Sequence, residues 1–186
     1  MDQIVCLGWG SLIWCQKALP VIGEWEADGP GLPIEFARES RDGRITLVIC
    51  EGARVVTTLW AALNVPNLDA AKMALAARES VTAANIRYSI GWCSPVGASE
   101  HRGAAVISQW AAARNLAGVV WTALKPKIGT DNRVPTQVEV VGHLGGLRGL
   151  QRDTAEEYVR HAPRQIVTSY RTAIEDTLGW TPLGLI

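Results

Sequence analysis

The sequence predicts an α+β fold: a mixed, mostly antiparallel sheet closing toward a small barrel, with helices packed on it. Three observations lead there. Three apolar stretches, 34–40, 45–51 and 54–61, follow one another with only the turns Asp42-Gly43 and Glu51-Gly52-Ala53 between them. Asp-Gly is a strong hairpin signal and no room remains for a crossover helix, so these stretches read as an antiparallel meander. The whole order is strand, meander, helix, helix, strand and helices, a poor match to a doubly wound nucleotide fold.

Each element has its own cue. Ile4-Val5-Cys6-Leu7 is a short apolar run ended by the turn Gly8-Trp9-Gly10-Ser11, the pattern of a buried strand. Residues 12–19 continue as a short helical turn. Gly29-Pro30-Gly31 marks a loop, and Pro33 favours an extended entry to the meander. After Pro66, an Ala-rich stretch predicts a helix over 69–84 with Asp69 as its N-cap. Residues 85–92 read as extended or irregular, and Gly91, Pro95 and Gly97 mark a loop. Ser99 caps a second helix reaching Asn115, 119–124 is another strand, and 125–132 is a polar loop. Thr136-Gln137-Val138-Glu139 and Thr154-Ala155-Glu156-Glu157 both fit capping boxes. Gly145-Gly146 ends the first tail helix, and Pro163 separates the second from a third ending near Gly179. The chain reads as a single domain over 1–186, with a motif-bearing core over 1–124 and a helical extension over 125–186 packed on it.

Composition bounds the function. A chain of 186 residues that is 48% hydrophobic is not disordered, and it needs no disulfide or metal to hold a core. Lys plus Arg and Asp plus Glu number 18 each, so no basic field exists for nucleic acid or an anionic membrane. A neutral surface protects weakly against association, which is compatible with a homodimer. Cys6, Cys15, Cys50 and Cys93 form no C-x-x-C pair and read as buried thiols of a reducing compartment. His101, His143 and His161 make no metal signature. No apolar stretch reaches the ~18 residues of a membrane span, and Asp2 and Gln3 stand where a secretory signal would be positive. The expectation is a cytoplasmic protein.

Two motifs carry candidate chemistry. Gly8-Trp9-Gly10-Ser11-Leu12 follows the first strand directly. Its glycines allow a tight turn and close approach to a ligand, and successive N–H groups there can cradle an anion. It is neither a phosphate loop nor a G-x-G-x-x-G run. Trp9 and Trp14 are equally good core residues. The second motif is Glu79. At roughly 100° per residue, Glu79 falls within about 20–40° of Leu68, Leu75 and Ile86, so an apolar helical stripe carries one carboxylate. Burial and the negative end of the helix dipole would raise its pKa, as a general base and acid near neutral pH requires. Alternatively, Glu79 pairs with Arg78, Arg87 or another Arg in a structural network.

Weaker candidates surround these. Period-two alternation puts Glu35, Ala37 and Glu39 on one strand face, either solvated or lining a barrel mouth, with Arg38 on the other. Glu100-His101 begins a helix, His143 precedes a glycine pair as a C-terminal cap, and Tyr88 follows the Glu79 helix as a hydrogen-bond donor or packing residue.

With these residues in view, the chain resembles the γ-glutamylcyclotransferase-like superfamily. The resemblance rests on Gly8-Trp9-Gly10-Ser11-Leu12-Ile13-Trp14, with Trp9 where the family most often has Tyr. Trp14 makes it nearest in motif to the glutathione-degrading branch. Arg78-Glu79 matches the Arg-Glu pair in which that branch places its catalytic glutamate. The likeness covers 1–124. It implies a lyase, also described as a transferase, that acts on a small γ-glutamyl or glutamate-like molecule and releases 5-oxoproline. Glu79 would be its catalytic residue, and Trp9, Gly10, Ser11 and Leu12 its substrate-binding turn, with no metal or organic cofactor. Three other readings stay open. One is a non-catalytic small-ligand-binding protein on the same scaffold. Another is thiol-based hydrolysis using Cys15 or Cys93 with His101, and the third is a complex-forming protein that uses the helical tail.

Overall fold

A computed structural model describes residues 3–183. Its strands are β1 (Ile4–Gly8), β2 (Val21–Glu26), β3 (Gly31–Glu39), β4 (Ile45–Ile49), β5 (Val55–Thr57), β6 (Leu59–Leu63), β7 (Ile90–Ser94), β8 (Gly97–Ala98) and β9 (Gly118–Thr122). Its helices are α1 (Leu68–Arg78), α2 (Ile86–Ser89), α3 (Ala104–Ala113), α4 (Gln137–Gly146), α5 (Gly149–His161) and α6 (Ser169–Leu178). The described residues fall into two compact units. One comprises the stretches 3–8, Cys15–Leu32 and Thr57–Leu124. The other comprises Trp9–Trp14, Pro33–Val56 and 125–183.

The first unit is built on a six-stranded sheet in the order β2-β6-β1-β9-β7-β8. Only β1 and β9 pair in parallel; the other four pairings are antiparallel. The mixed, mostly antiparallel α+β class is therefore as the sequence predicts, but the barrel is not. The sheet is open, with β2 and β8 as its edges. Neither edge can carry a continuous ladder to the other. The register of β2 on β6 breaks around Gly23, which has a φ of 72°, and β8 is only two residues long.

The predicted meander is also corrected. The second unit holds a three-stranded sheet in the order β4-β3-β5, with β3 in the centre. Asp42-Gly43 does close the β3–β4 hairpin, with Gly43 at φ 83°. The Glu51-Gly52-Ala53 reversal forms too, Ala53 N donating to Cys50 O at 3.1 Å, but it delivers β5 to the opposite edge of β3. The predicted strand over 54–61 breaks at Thr58. This residue is fully buried, and its Oγ1 donates to Pro30 O at 2.8 Å. Gly29 N in turn donates to Thr58 O at 2.9 Å, and a Cβ on Gly29 would stand 2.7 Å from that oxygen.

Strand β2 stands where no strand is expected, β7 begins in the stretch read as extended or irregular and runs on into the predicted loop, and β8 lies within that loop. Gly91, read as a loop residue, sits in β7 because the indole of fully buried Trp121 fills the space of its missing side chain. Helix α1 begins at the N-cap Asn67, not at Asp69; the Asn67 side chain accepts from Ala70 N at 2.9 Å. It ends at Arg78 rather than at 84. Ser80 adopts a left-handed φ of 56°, Ser80 N donates to Ala77 O at 3.1 Å, and Val81 N donates to Ala76 O at 2.8 Å. That is the Schellman closure, made with Ser where glycine usually stands. Helix α3 starts after Gly103; Ser99 instead bonds Trp92, its Oγ accepting from Trp92 N at 3.0 Å. Helix α5 starts at Gly149, so Thr154 lies inside it and its Oγ1 donates to Leu150 O at 2.7 Å.

The tail helices belong to the second unit. The Thr136–Glu139 capping box forms as predicted, and α6 closes on Gly179 at φ 73°. Helix α5 packs against β4, and α4 packs against α6.

Two glycines should answer oppositely to alanine. A Cβ on Gly91 would lie 2.1 Å from Trp121 Cε2, so Gly91→Ala should lose about 1–3 kcal/mol in urea unfolding. A Cβ on Gly142, inside α4, meets nothing within 4 Å, and Gly142→Ala should gain up to about 1 kcal/mol in the same measurement.

Candidate functional site

Glu79 lies in the first unit, as the C-cap of α1. The buried stripe of α1 runs through Ala71, Leu75 and Arg78, and Glu79 follows Leu75 by one turn. Ile86, part of the predicted stripe, belongs to α2 and not to this helix. The Glu79 side chain is 18% exposed. Arg78, itself buried, donates from Nη1 to Glu79 Oε1 at 2.7 Å and from Nη2 to Cys15 O at 2.6 Å. The pairing with Arg78, left open by the sequence, is therefore formed. Glu79 Oε2 accepts no hydrogen bond among the described residues. The carboxylate also bears on Cys6 of β1: burial first, and the Glu79 charge second, push that fully buried thiol far above its ordinary range.

Trp9, Gly10, Ser11 and Leu12 lie in the second unit. They form the predicted turn, closed by Ile13 N donating to Gly10 O at 3.0 Å. Trp9 is buried, and its Nε1 donates to Leu47 O at 3.1 Å. Leu12 is buried and Ser11 is half-buried. Gly10 is required for close approach, not for an unusual backbone angle: a Cβ there would lie 2.5 Å from Tyr158 Oη. That hydroxyl accepts from Leu47 N at 3.1 Å, so one tyrosine of α5 is locked to both β4 and the turn. Trp14 meets the Tyr158 ring edge-on at 5.5 Å and stacks on His161 at 5.8 Å. Sequence reasoning missed Tyr158; no local signal ties a helical tail residue to a glycine 148 positions earlier.

The weaker candidates resolve into structural roles. Glu35 is 2% exposed, not part of a solvated face or a barrel mouth. A register shift between Phe36 and Arg38 breaks the expected alternation, and residues 34–37 are all buried. Its carboxylate takes the N-terminus of α6. It accepts from Phe36 N at 2.8 Å, from Ser169 Oγ at 3.1 Å, from Tyr170 N at 3.4 Å and, very closely, from Thr168 Oγ1. Burial nevertheless holds this carboxyl above its ordinary value, against those donors. Arg38 Nη1 donates to Lys125 O and Glu39 Oε2 accepts from Gly129 N, tying β3 to the 125–132 loop. His143 Nε2 pairs with Gly43 O at 2.7 Å, and exposed Tyr88 lies under the Arg87 guanidinium. No helix begins at Glu100-His101, since α3 starts at Ala104. Cys93 is buried in β7, and burial raises its thiol pKa, the reverse of an activated nucleophile; Cys15, expected to be buried like the other three, is exposed.

Among the described residues, no group of three or more His, Cys, Asp or Glu gathers as a metal site, and no helix is long and apolar enough to cross a membrane. No family model, curated protein or solved structure matches this chain.

Two outcomes follow. Gly10→Ala should lose about 1–3 kcal/mol by crowding the Tyr158 hydroxyl. Tyr158→Phe should lose about 1 kcal/mol with its hydrogen bond, and the double variant should lose less than the sum of the two. Chemical denaturation of the four proteins checks this. For Glu35, a folded pKa raised above the unfolded one means that the folded state holds its proton more tightly. Its contribution is present below the unfolded value near pH 4.5 and lost as pH rises through the folded value. The stability of Glu35→Gln relative to the parent should therefore increase from pH 4 to pH 8; a difference that is flat or falls over that range contradicts the sign.

Proposed function

We propose that the protein is a γ-glutamylcyclotransferase-type lyase of the γ-glutamylcyclotransferase-like fold, converting a γ-glutamyl amide or peptide to 5-oxoproline and a free amine. The observation that carries the reading is the Glu79 carboxylate: Oε1 is held by a buried guanidinium and Oε2 accepts no hydrogen bond among the described residues. The motif likeness of Gly8–Trp14 and Arg78-Glu79 supports it.

In this reaction the substrate's α-amine nitrogen attacks its own γ-carbonyl carbon, a C–N bond forms, and the γ-amide C–N bond breaks. Nucleophile and electrophile share one molecule, so the protein's main task is to enforce the cyclising conformer. Glu79 takes a proton from the attacking amine and returns it to the leaving nitrogen. Arg78 orients the carboxylate. The motif likeness assigns substrate binding to the turn Trp9-Gly10-Ser11-Leu12, whose successive backbone N–H groups can hold a carboxylate. The chemistry needs no cofactor.

The Arg78–Glu79 pair also favours a second reading, a non-catalytic protein that binds a glutamate-like anion with Glu79 as a structural partner. A panel of γ-glutamyl compounds, read by 5-oxoproline release, separates the two. Glu79→Gln should still fold, with a lower unfolding midpoint because the buried Arg78 loses its counter-charge, and should lower turnover at least ~10²-fold. Turnover near the parent's would end the assignment of Glu79. Binding of γ-glutamyl compounds without any 5-oxoproline would favour the second reading.

A further inference from the structure

The first unit contains a cavity of about 650 Å³ on the face of α1 away from its buried stripe. Asp69, Lys72 and Met73 line it from α1, Ile86 and Arg87 from α2, and Trp92 from β7. Glu79 is not among its walls. The volume is that of a small-molecule pocket, and the lining is mostly apolar with a few charged groups, the usual make-up of such sites. Met73 is 59% exposed, so its flexible thioether is free to move over the cavity.

The charges select the ligand. Lys72 Nζ is committed to Asp69 Oδ1 at 2.5 Å and sits 5.1 Å from the Trp92 ring centroid. Those two charges cancel. The Arg87 guanidinium lies 4.5 Å from the Tyr88 ring centroid and has no carboxylate partner among the described residues. Two cations against one anion leave the mostly apolar lining one positive charge in excess.

We infer that this cavity is a separate ligand site that takes a small organic monoanion: one carboxylate on a flat or branched apolar body. Arg87 receives the carboxylate, and Met73, Ile86 and Trp92 receive the body. Met73 is flexible enough to close over bodies of different shape.

Isothermal titration calorimetry with naphthoate, and with neutral naphthamide as its control, tests the assignment. Naphthoate should bind once per chain with a Kd below ~1 mM, at least ~5-fold tighter than the amide. Arg87→Gln should erase the preference for the acid, and Met73→Glu should weaken both ligands at least ~10-fold. Both positions are exposed, so neither change threatens folding. No binding up to about 5 mM, equal affinity for acid and amide, or naphthoate binding unaffected by Met73→Glu would each overturn the inference.

Discussion

A buried guanidinium organises the end of α1. Arg78 cannot be left unpaired in a protein interior, because an uncompensated buried charge costs several kcal/mol. Its planar fork satisfies two acceptors at once, Glu79 Oε1 and Cys15 O. One acceptor is a side chain beside it, and the other is a main-chain carbonyl 63 positions earlier. The arrangement turns a local helix terminus into a long-range tie. It also holds the carboxylate in one orientation, which a free glutamate at a helix end would not keep. Lysine, with one compact charged nitrogen, would not reproduce the fork.

Comparison of the two inward carboxylates decides which is available for chemistry. Glu35 is the more deeply buried, yet four donors occupy it, two of them from the backbone. It serves as an anion at the N-terminus of α6, where N–H groups lack helical partners. A carboxylate so saturated has no lone pair free to receive a proton from a substrate amine without breaking its own support. Glu79 has one strong donor on one oxygen. Burial alone would point to Glu35; the donors on each oxygen leave only Glu79 with an oxygen free of hydrogen bonds among the described residues.

What could be read from the sequence follows the range of the interactions involved. The β1 strand, its turn, the Asp42-Gly43 hairpin and the Thr136–Glu139 box all depend on neighbours within a few residues, and all form. Errors arose where a residue type was taken as punctuation. Gly91 was read as a breaker although Trp121 makes a glycine necessary inside a strand. Ser80 gave no stop signal although it takes the left-handed position that ends α1, so the helical wheel ran past its own terminus to Ile86. The inward position of Glu79 was legible all the same, because its one-turn spacing from Leu75 lies at the helix end and does not need Ile86. Sheet order was beyond local cues. The third strand could sit beside β4 or beside β3, and the turn at 51–53 is compatible with either.

The same helix carries two unlike surfaces. Toward its C-terminus, the stripe Ala71, Leu75, Arg78 packs inward and ends in an ion pair. Toward its N-terminus, Asp69, Lys72 and Met73 line a cavity whose lining is mostly apolar and whose unbalanced charge is positive. A proton-transfer group and a binding cavity are usually expected to coincide, since a base must reach the molecule it serves. Here the cavity walls do not include Glu79. The proposed ligand of the cavity and the proposed turnover at Glu79 would therefore be separate properties of one helix. A ligand in the cavity would touch α1 near its N-cap without displacing any group that holds the carboxylate. Any influence of one on the other would have to pass along α1 itself, an element held at one end by Asn67 and at the other by the closure at Ser80.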